Sequence, residues 1–270
     1  MTYIVLNASR DPRVEDPTNR WLFDPVARLL VPLAVRLRIS ANTISISGVF
    51  VGALAALAYE RWQQPGAAAL GFLFSLVWLV MDSLDGMVAR ATGTSSAFGR
   101  QLDGYCDHCV FTLLYIALAG SVGGVAVWSL MLAAGAAHAV QASLYEGERE
   151  RFNRRRRGIA PPVPGPRSRN PATRLYDWLA SSFDRASAPF DRALAAGPSG
   201  EALRQRYCRK AIPVFQAMLP LSQNMRLFAL FLACLSGWAT AFLWFELIPL
   251  SALTAIGILQ LRRVETTLLR

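Results

Sequence analysis

DSLDGMVARATGTSSAFGRQLDGYCD, residues 82–107, decides how the rest of the chain is read. Its four aspartates, Asp82, Asp85, Asp103 and Asp107, form two pairs spaced three and four apart. On a helix both spacings put the members of a pair on one face. Between the pairs, Arg90 leads through Thr92, Gly93, Thr94, Ser95 and Ser96 to Gly99, a small-residue turn. The pattern predicts two helices joined by a tight connection and aiming four carboxylates at one point. Residues 67–81 and 109–145 on either side carry no charged side chain. Acids at the mouths of long apolar segments are costly to keep there, and four facing carboxylates repel one another. Divalent cations with oxygen ligands relieve that repulsion, and Mg²⁺ commonly shares its shell with substrate phosphates. The residues alone therefore read as a membrane-embedded metal site for a phosphate or diphosphate substrate.

The same residues resemble a known signature. Asp82-x2-Asp85-Gly86-x2-Ala89-Arg90-x8-Gly99-x3-Asp103-x3-Asp107 is similar to the motif of the CDP-alcohol phosphotransferases (CDP-alcohol phosphatidyltransferases), with all eight positions filled. The resemblance implies transfer of a substituted phosphate from a CDP-alcohol to an acceptor hydroxyl, with release of CMP. It implies Asp82, Asp85 and Asp103 as metal ligands and Asp107 as general base, itself leaning towards the metals. Mg²⁺ or Mn²⁺, as two ions, is the expected cofactor. Gly86 and Ala89 lack bulk, so a ring or phosphate can approach there. With Asp85, Arg90 and Gly99 they make up the expected nucleotide site. Relatives are often homodimers, so a second copy is an expected partner.

Composition agrees with a membrane protein. Of 270 residues 53% are hydrophobic and 17% charged, with mean hydropathy +0.31; that is apolar for a soluble domain. A span needs about 20 mostly apolar residues. Six stretches are candidates: 43–59, 66–84, 104–120, 123–145, 224–244 and 247–262. The expected fold is an all-α integral membrane protein, a six-transmembrane-helix bundle with an N-terminal interfacial amphipathic helix. Of 28 basic residues, Arg61 alone falls in the external loops of that scheme, and Lys210 is the sole lysine. The positive-inside rule then puts both termini and the aspartates on the cytoplasmic face. The net charge of +10 points to anionic lipid headgroups rather than nucleic acid, because the basic residues adjoin the spans.

In chain order, residues 1–40 read as a cytoplasmic N-terminus, and 41–270 as the catalytic domain with a basic cytoplasmic insert at about 146–210. Residues 20–38 suit an interfacial amphipathic helix that Pro25 and Pro32 would interrupt. Ser40 or Asn42 is positioned to cap the first span. Gly48-x3-Gly52 is a close-packing pattern within the bundle or a dimer. The insert is rich in Arg and Pro and reads as solvated or lipid-skimming, with amphipathic helices near 171–186 and 199–211. Gln223, Asn224 and Arg226 lie at the mouth of the fifth span, where polar residues could line the acceptor pocket; Arg226 and Asn224, with Arg100, are the candidate acceptor-binding residues. Cys106 and Cys109 read as helix packing rather than zinc ligands, and no structural disulfide is expected.

The partners implied are a CDP-activated alcohol or lipid and the membrane lipids themselves. Phosphatidyl transfer from a lipid donor to a small acceptor is the first reading. Head-group transfer from a small CDP-alcohol to a lipid hydroxyl is the alternative. Two other classes compete. An isoprenoid-diphosphate transferase would need a second Asp-rich motif, and the remaining spans are nearly free of acids, with Glu246 expected on the opposite face. A cation transporter would need polar groups through the external half of the bundle.

Overall fold

The computed structural model describes residues 11–160, 187–196 and 198–270. The expected helix at 171–186 lies outside them. Among the described residues all regular structure is helical. A π-helical turn at Asn19–Phe23 leads into α1 (Asp24–Arg36), α2 (Ala41–Glu60), α3 (Ala67–Ala91), α4 (Ala97–Val122) and α5 (Val125–Arg156). Residues 187–194 are helical. There follow α6 (Pro198–Ala217), α7 (Gln223–Leu235), α8 (Thr240–Leu247) and α9 (Pro249–Leu269).

Five helices are long and apolar enough to cross a membrane: α2, α3, α4, α5 and the stretch Thr240–Leu269, formed by α8 and α9. The stretch expected to be a fifth span at 224–244 is different. Its helix, α7, has 13 residues, or about 20 Å at 1.5 Å per residue against a hydrocarbon core of about 30 Å. The chain turns at Ser236–Gly237, where Gly237 has φ +79°, and the last long helix starts at Thr240, not 247.

The chain forms two compact units. The first comprises Glu15–Ala139 and Ser222–Leu250. In it α2 packs on α3 and α4, and α1 on α3. Its core runs through Tyr59, Trp78, Phe111, Leu114, Leu118, Leu230 and Phe242. Ala27, Val31 and Ala34 of α1 bury against Ile44 of α2 and Leu84, Met87 and Val88 of α3. The opposite side of α1 leaves Leu29 80% and Leu33 54% exposed. Pro25 sits in the first turn, where its missing N–H costs nothing, and the helix continues through Pro32. Ser40 caps α2, its Oγ accepting from Thr43 N at 3.1 Å. The Gly48-x3-Gly52 pattern is used inside this unit. A Cβ at Gly48 would meet Trp78 at 3.2 Å and one at Gly52 would meet Val110 at 2.6 Å.

The second unit comprises, among the described residues, 11–14, 140–160, 187–196, 198–221 and 251–270. The insert expected from 146 is not a solvated loop over its described residues. α5 continues without a break to Arg156, with Arg149 bonded to Glu146 and Arg151 to Glu148 one turn back. Phe152, Phe190, Tyr207 and Phe215 form its aromatic core. Arg155 bonds Asp191 and Glu265 at 2.7 Å each, while Arg262 pairs with Glu148 and Glu265. Burial pushes the Tyr207 phenol up to about 12, so it stays neutral while accepting from Arg155 at 3.2 Å. All four cysteines of the chain are free thiols.

Candidate active site

α3 carries Asp82 and Asp85 near its C-terminal end, and α4 carries Asp103 and Asp107 in its first turns. The connection is as tight as its small residues allow. Thr94 N donates to Ala89 O at 2.9 Å, and Gly93 takes φ +68°, a left-handed conformation open to glycine at little cost. Ser96 then caps α4, its Oγ accepting from Gly99 N at 2.9 Å.

This geometry brings three of the four carboxylates together. One oxygen from each of Asp82, Asp103 and Asp107 lies within 4.8 Å of the other two. Ionised, each such pair repels by about 3 kcal/mol at an effective dielectric constant of about 20. A divalent cation would turn that repulsion into binding energy, and an all-carboxylate donor set suits hard ions such as Mg²⁺ or Mn²⁺. Asp85 stands beside Asp103 and Asp82 but is only 4% exposed. Its Oδ2 accepts from Ser45 Oγ on α2 at 2.5 Å. All four aspartates and Ser45 line one cleft, with Trp78 and Met81 as part of its apolar wall.

The expected nucleotide residues border this cluster in sequence. A Cβ on Gly86 would meet Arg90 Nη1 at 3.1 Å, so the guanidinium lies over that glycine. A Cβ on Gly99 would meet Ser96 Oγ at 3.2 Å and Asn42 Oδ1 at 3.5 Å. Ala89 is half-buried, whereas Arg90 and Arg100 are exposed.

Of the three polar residues expected at the mouth of the fifth span, Gln223 is the one that meets an aspartate of the cluster. Gln223 Nε2 donates to Asp107 Oδ2 at 2.7 Å. Its neighbours are also engaged. Ser222 Oγ donates to Asp16 Oδ2 at 2.5 Å, and Asn224 Nδ2 donates to Thr18 Oγ1 at 2.6 Å and Asn19 Oδ1 at 2.7 Å. Arg226 is 1% exposed and ion-paired with Glu246 of α8, which is fully buried. Its Nη1 is also 3.1 Å from His138 Nδ1, which lies 2.8 Å from Tyr115 Oη. Arg226 and Asn224 are thus bonded within the protein instead of facing the cleft. Glu246, expected beyond the end of a span, is inside the bundle.

The family model for CDP-alcohol phosphatidyltransferase matches residues 38–170, which include all four aspartates. No curated protein matches the chain.

Proposed function

We propose, from the match of the CDP-alcohol phosphatidyltransferase model to residues 38–170, that this chain is a transferase of substituted phosphate groups and works by a metal-dependent transfer with Asp107 as general base. In this reading the acceptor hydroxyl oxygen attacks the phosphorus that bears the alcohol. A new phosphorus–oxygen bond forms, the bridging bond to the other phosphate breaks, and CMP leaves. The hydroxyl proton passes to the Asp107 carboxylate. The family is generally dependent on divalent metals. Asp82, Asp103 and Asp107, with Asp85 beside them, are the residues that would hold two Mg²⁺ or Mn²⁺ ions. When bound, the ions supply charge neutralisation on the entering and leaving oxygens. Gly86, Ala89 and Gly99 keep side-chain bulk away from the nucleotide, and Arg90 offers a guanidinium to its phosphates.

The observation that carries the proposal is the meeting of Asp82, Asp103 and Asp107 within 4.8 Å inside the family's signature. The acceptor side changes from the sequence reading. Arg226 and Asn224 are buried and engaged, which leaves Arg100, exposed in the first turn of α4, as the direct acceptor contact we propose. The preference for a phosphatidyl donor draws on the family. We place the site and both termini on the cytoplasmic face, where the arginines gather; that topology needs α7 to complete a sixth crossing, its 13 residues helped across by local thinning of the bilayer. A pair of copies, as the resemblance implies, completes the proposal, and cross-linking in membranes tests it.

The direct experiment uses purified protein in liposomes. CDP-diacylglycerol with labelled small alcohols and alcohol phosphates is compared with small CDP-alcohols and diacylglycerol. We expect CMP release and labelled lipid with the first donor. Product formed only with the second donor would reverse the direction of transfer. No CMP with either would overturn the proposal.

A further inference from the structure

Four polar residues at the start of α7, Ser222, Gln223, Asn224 and Arg226, bond three different parts of the first unit. Three of those four residues hold the helix. Ser222 and Asn224 tie it to Asp16, Thr18 and Asn19 of the N-terminal lead-in. Arg226, one turn beyond Gln223, ties it to Glu246 and His138. The remaining residue, Gln223, bonds Asp107 at 2.7 Å, a carboxylate of the cleft. A short polar turn secured on both sides of the one residue that reaches the site is more than a helix cap requires.

We infer that Gln223 is a positioning residue for Asp107, and that the buried Arg226–Glu246 pair acts on turnover through Gln223 by fixing α7. This rests on the proposed role of Asp107 as base. The amide N–H fixes one carboxylate oxygen and with it the plane of the group. The lone pairs of the other oxygen are then directed before the acceptor arrives. A carboxylate free to rotate would present that oxygen only part of the time, and geometric errors of this kind cost rate more than binding. Neutral and carrying no nucleophile, Gln223 can act on the reaction only through its hydrogen bonds, and the one to Asp107 is in place.

The test is a double-mutant cycle on full-length protein in liposomes, read by CMP release and by thermal unfolding. Gln223→Leu removes the donor at similar volume. Its kcat is expected to fall about 10–100-fold, the usual loss when an orienting partner is removed, with KM for the CDP-alcohol unchanged and the unfolding temperature near that of wild type. Arg226→Met with Glu246→Gln removes both charges together, so no ion is left buried alone. That pair is expected to lower both kcat and the unfolding temperature. Combined with Gln223→Leu it should lower kcat no further, because its effect is already spent. Additive losses in kcat would overturn the link between the ion pair and Gln223. Wild-type kcat in Gln223→Leu would overturn the positioning role. Asp107→Asn in the same assay separates the two levels: inactive Asp107→Asn beside active Gln223→Leu sinks this inference alone, whereas active Asp107→Asn sinks the base assignment beneath it.

Discussion

Ser45 on α2 donates its hydroxyl to Asp85 on α3 at 2.5 Å, and both residues are buried. The bond selects one orientation for a carboxylate that borders the Asp82–Asp103–Asp107 cluster without belonging to its tightest group. Ser45→Ala should therefore raise the Mg²⁺ concentration needed for half-maximal activity by about 10–100-fold, the range for a lost outer-shell partner. Ser45→Thr keeps the hydroxyl and should stay near wild type. A Mg²⁺ titration of CMP release measures both. An unchanged Mg²⁺ requirement in Ser45→Ala would show that Asp85 is held well enough without it.

Asp107→Asn preserves shape and the contact with Gln223 while removing the proton acceptor. Loss of a positioned general base typically costs about 10²–10⁴-fold, so turnover should fall at least that far while CDP-alcohol still binds in a calorimetric titration. Normal turnover in proteoliposomes would defeat the base assignment.

Chelation gives an independent check on the carboxylate cluster. Excess EDTA should abolish CMP release, and Mg²⁺ or Mn²⁺ should restore it, because three oxygens within 4.8 Å are a poor phosphate site until their charge is neutralised. Full activity in EDTA would remove the metal from the mechanism.

The aspartate helices, their tight turn and the Ser40 cap were legible because each depends on residues close in sequence. What was not legible depends on distant pairing. The apolar run after Leu227 has one charged residue before Arg262, Glu246, and a lone acid there reads as a loop. Its partner Arg226 lies 20 positions back, symmetrically across the turn at Gly237, so the pair closes a helical hairpin instead of marking its end. Opposite charges in neighbouring apolar segments were the available signal. Residues 146–156 misled for the same reason. Their arginines read as solvated, but Arg155 meets Glu265 across 110 positions. Ser45 lay in view at the start of the first span, yet nothing local tells which way a serine on that helix faces.

The Arg155 network makes a prediction about stability in the second unit. Its guanidinium is buried and bonds Asp191, Glu265 and Tyr207. Arg155→Met would strip one of two cations from buried Glu265 and from half-buried Asp191, which keep Arg262 and Arg154; breaking a buried pair typically costs about 3–5 kcal/mol, and the remaining partners should hold the loss to the lower end of that range. Adding Glu265→Gln should recover part of that loss by removing the stranded charge. Thermal unfolding in detergent compares the two. A double variant less stable than Arg155→Met would show that Glu265 is held by its other partners, Arg262 and Ser187.

Gly52 tests whether the small-residue stripe on α2 serves the bundle or a second copy. A Cβ there would stand 2.6 Å from both methyls of Val110 on α4, far inside van der Waals contact. Val110 cannot swing away easily, because a β-branched side chain in a helix has one strongly preferred rotamer. Gly52→Ala should therefore destabilise the protein by about 1–3 kcal/mol through overpacking. Val110→Ala removes those two methyls, so the double variant Gly52→Ala/Val110→Ala should regain most of the loss. The compensation is specific to a contact within one chain. If Gly52 instead served a contact between copies, trimming Val110 would add its own cavity cost, and Gly52→Ala would change the cross-linked fraction in membranes. Unfolding temperatures of the two single variants and the double variant, set beside cross-linking of each, separate these outcomes.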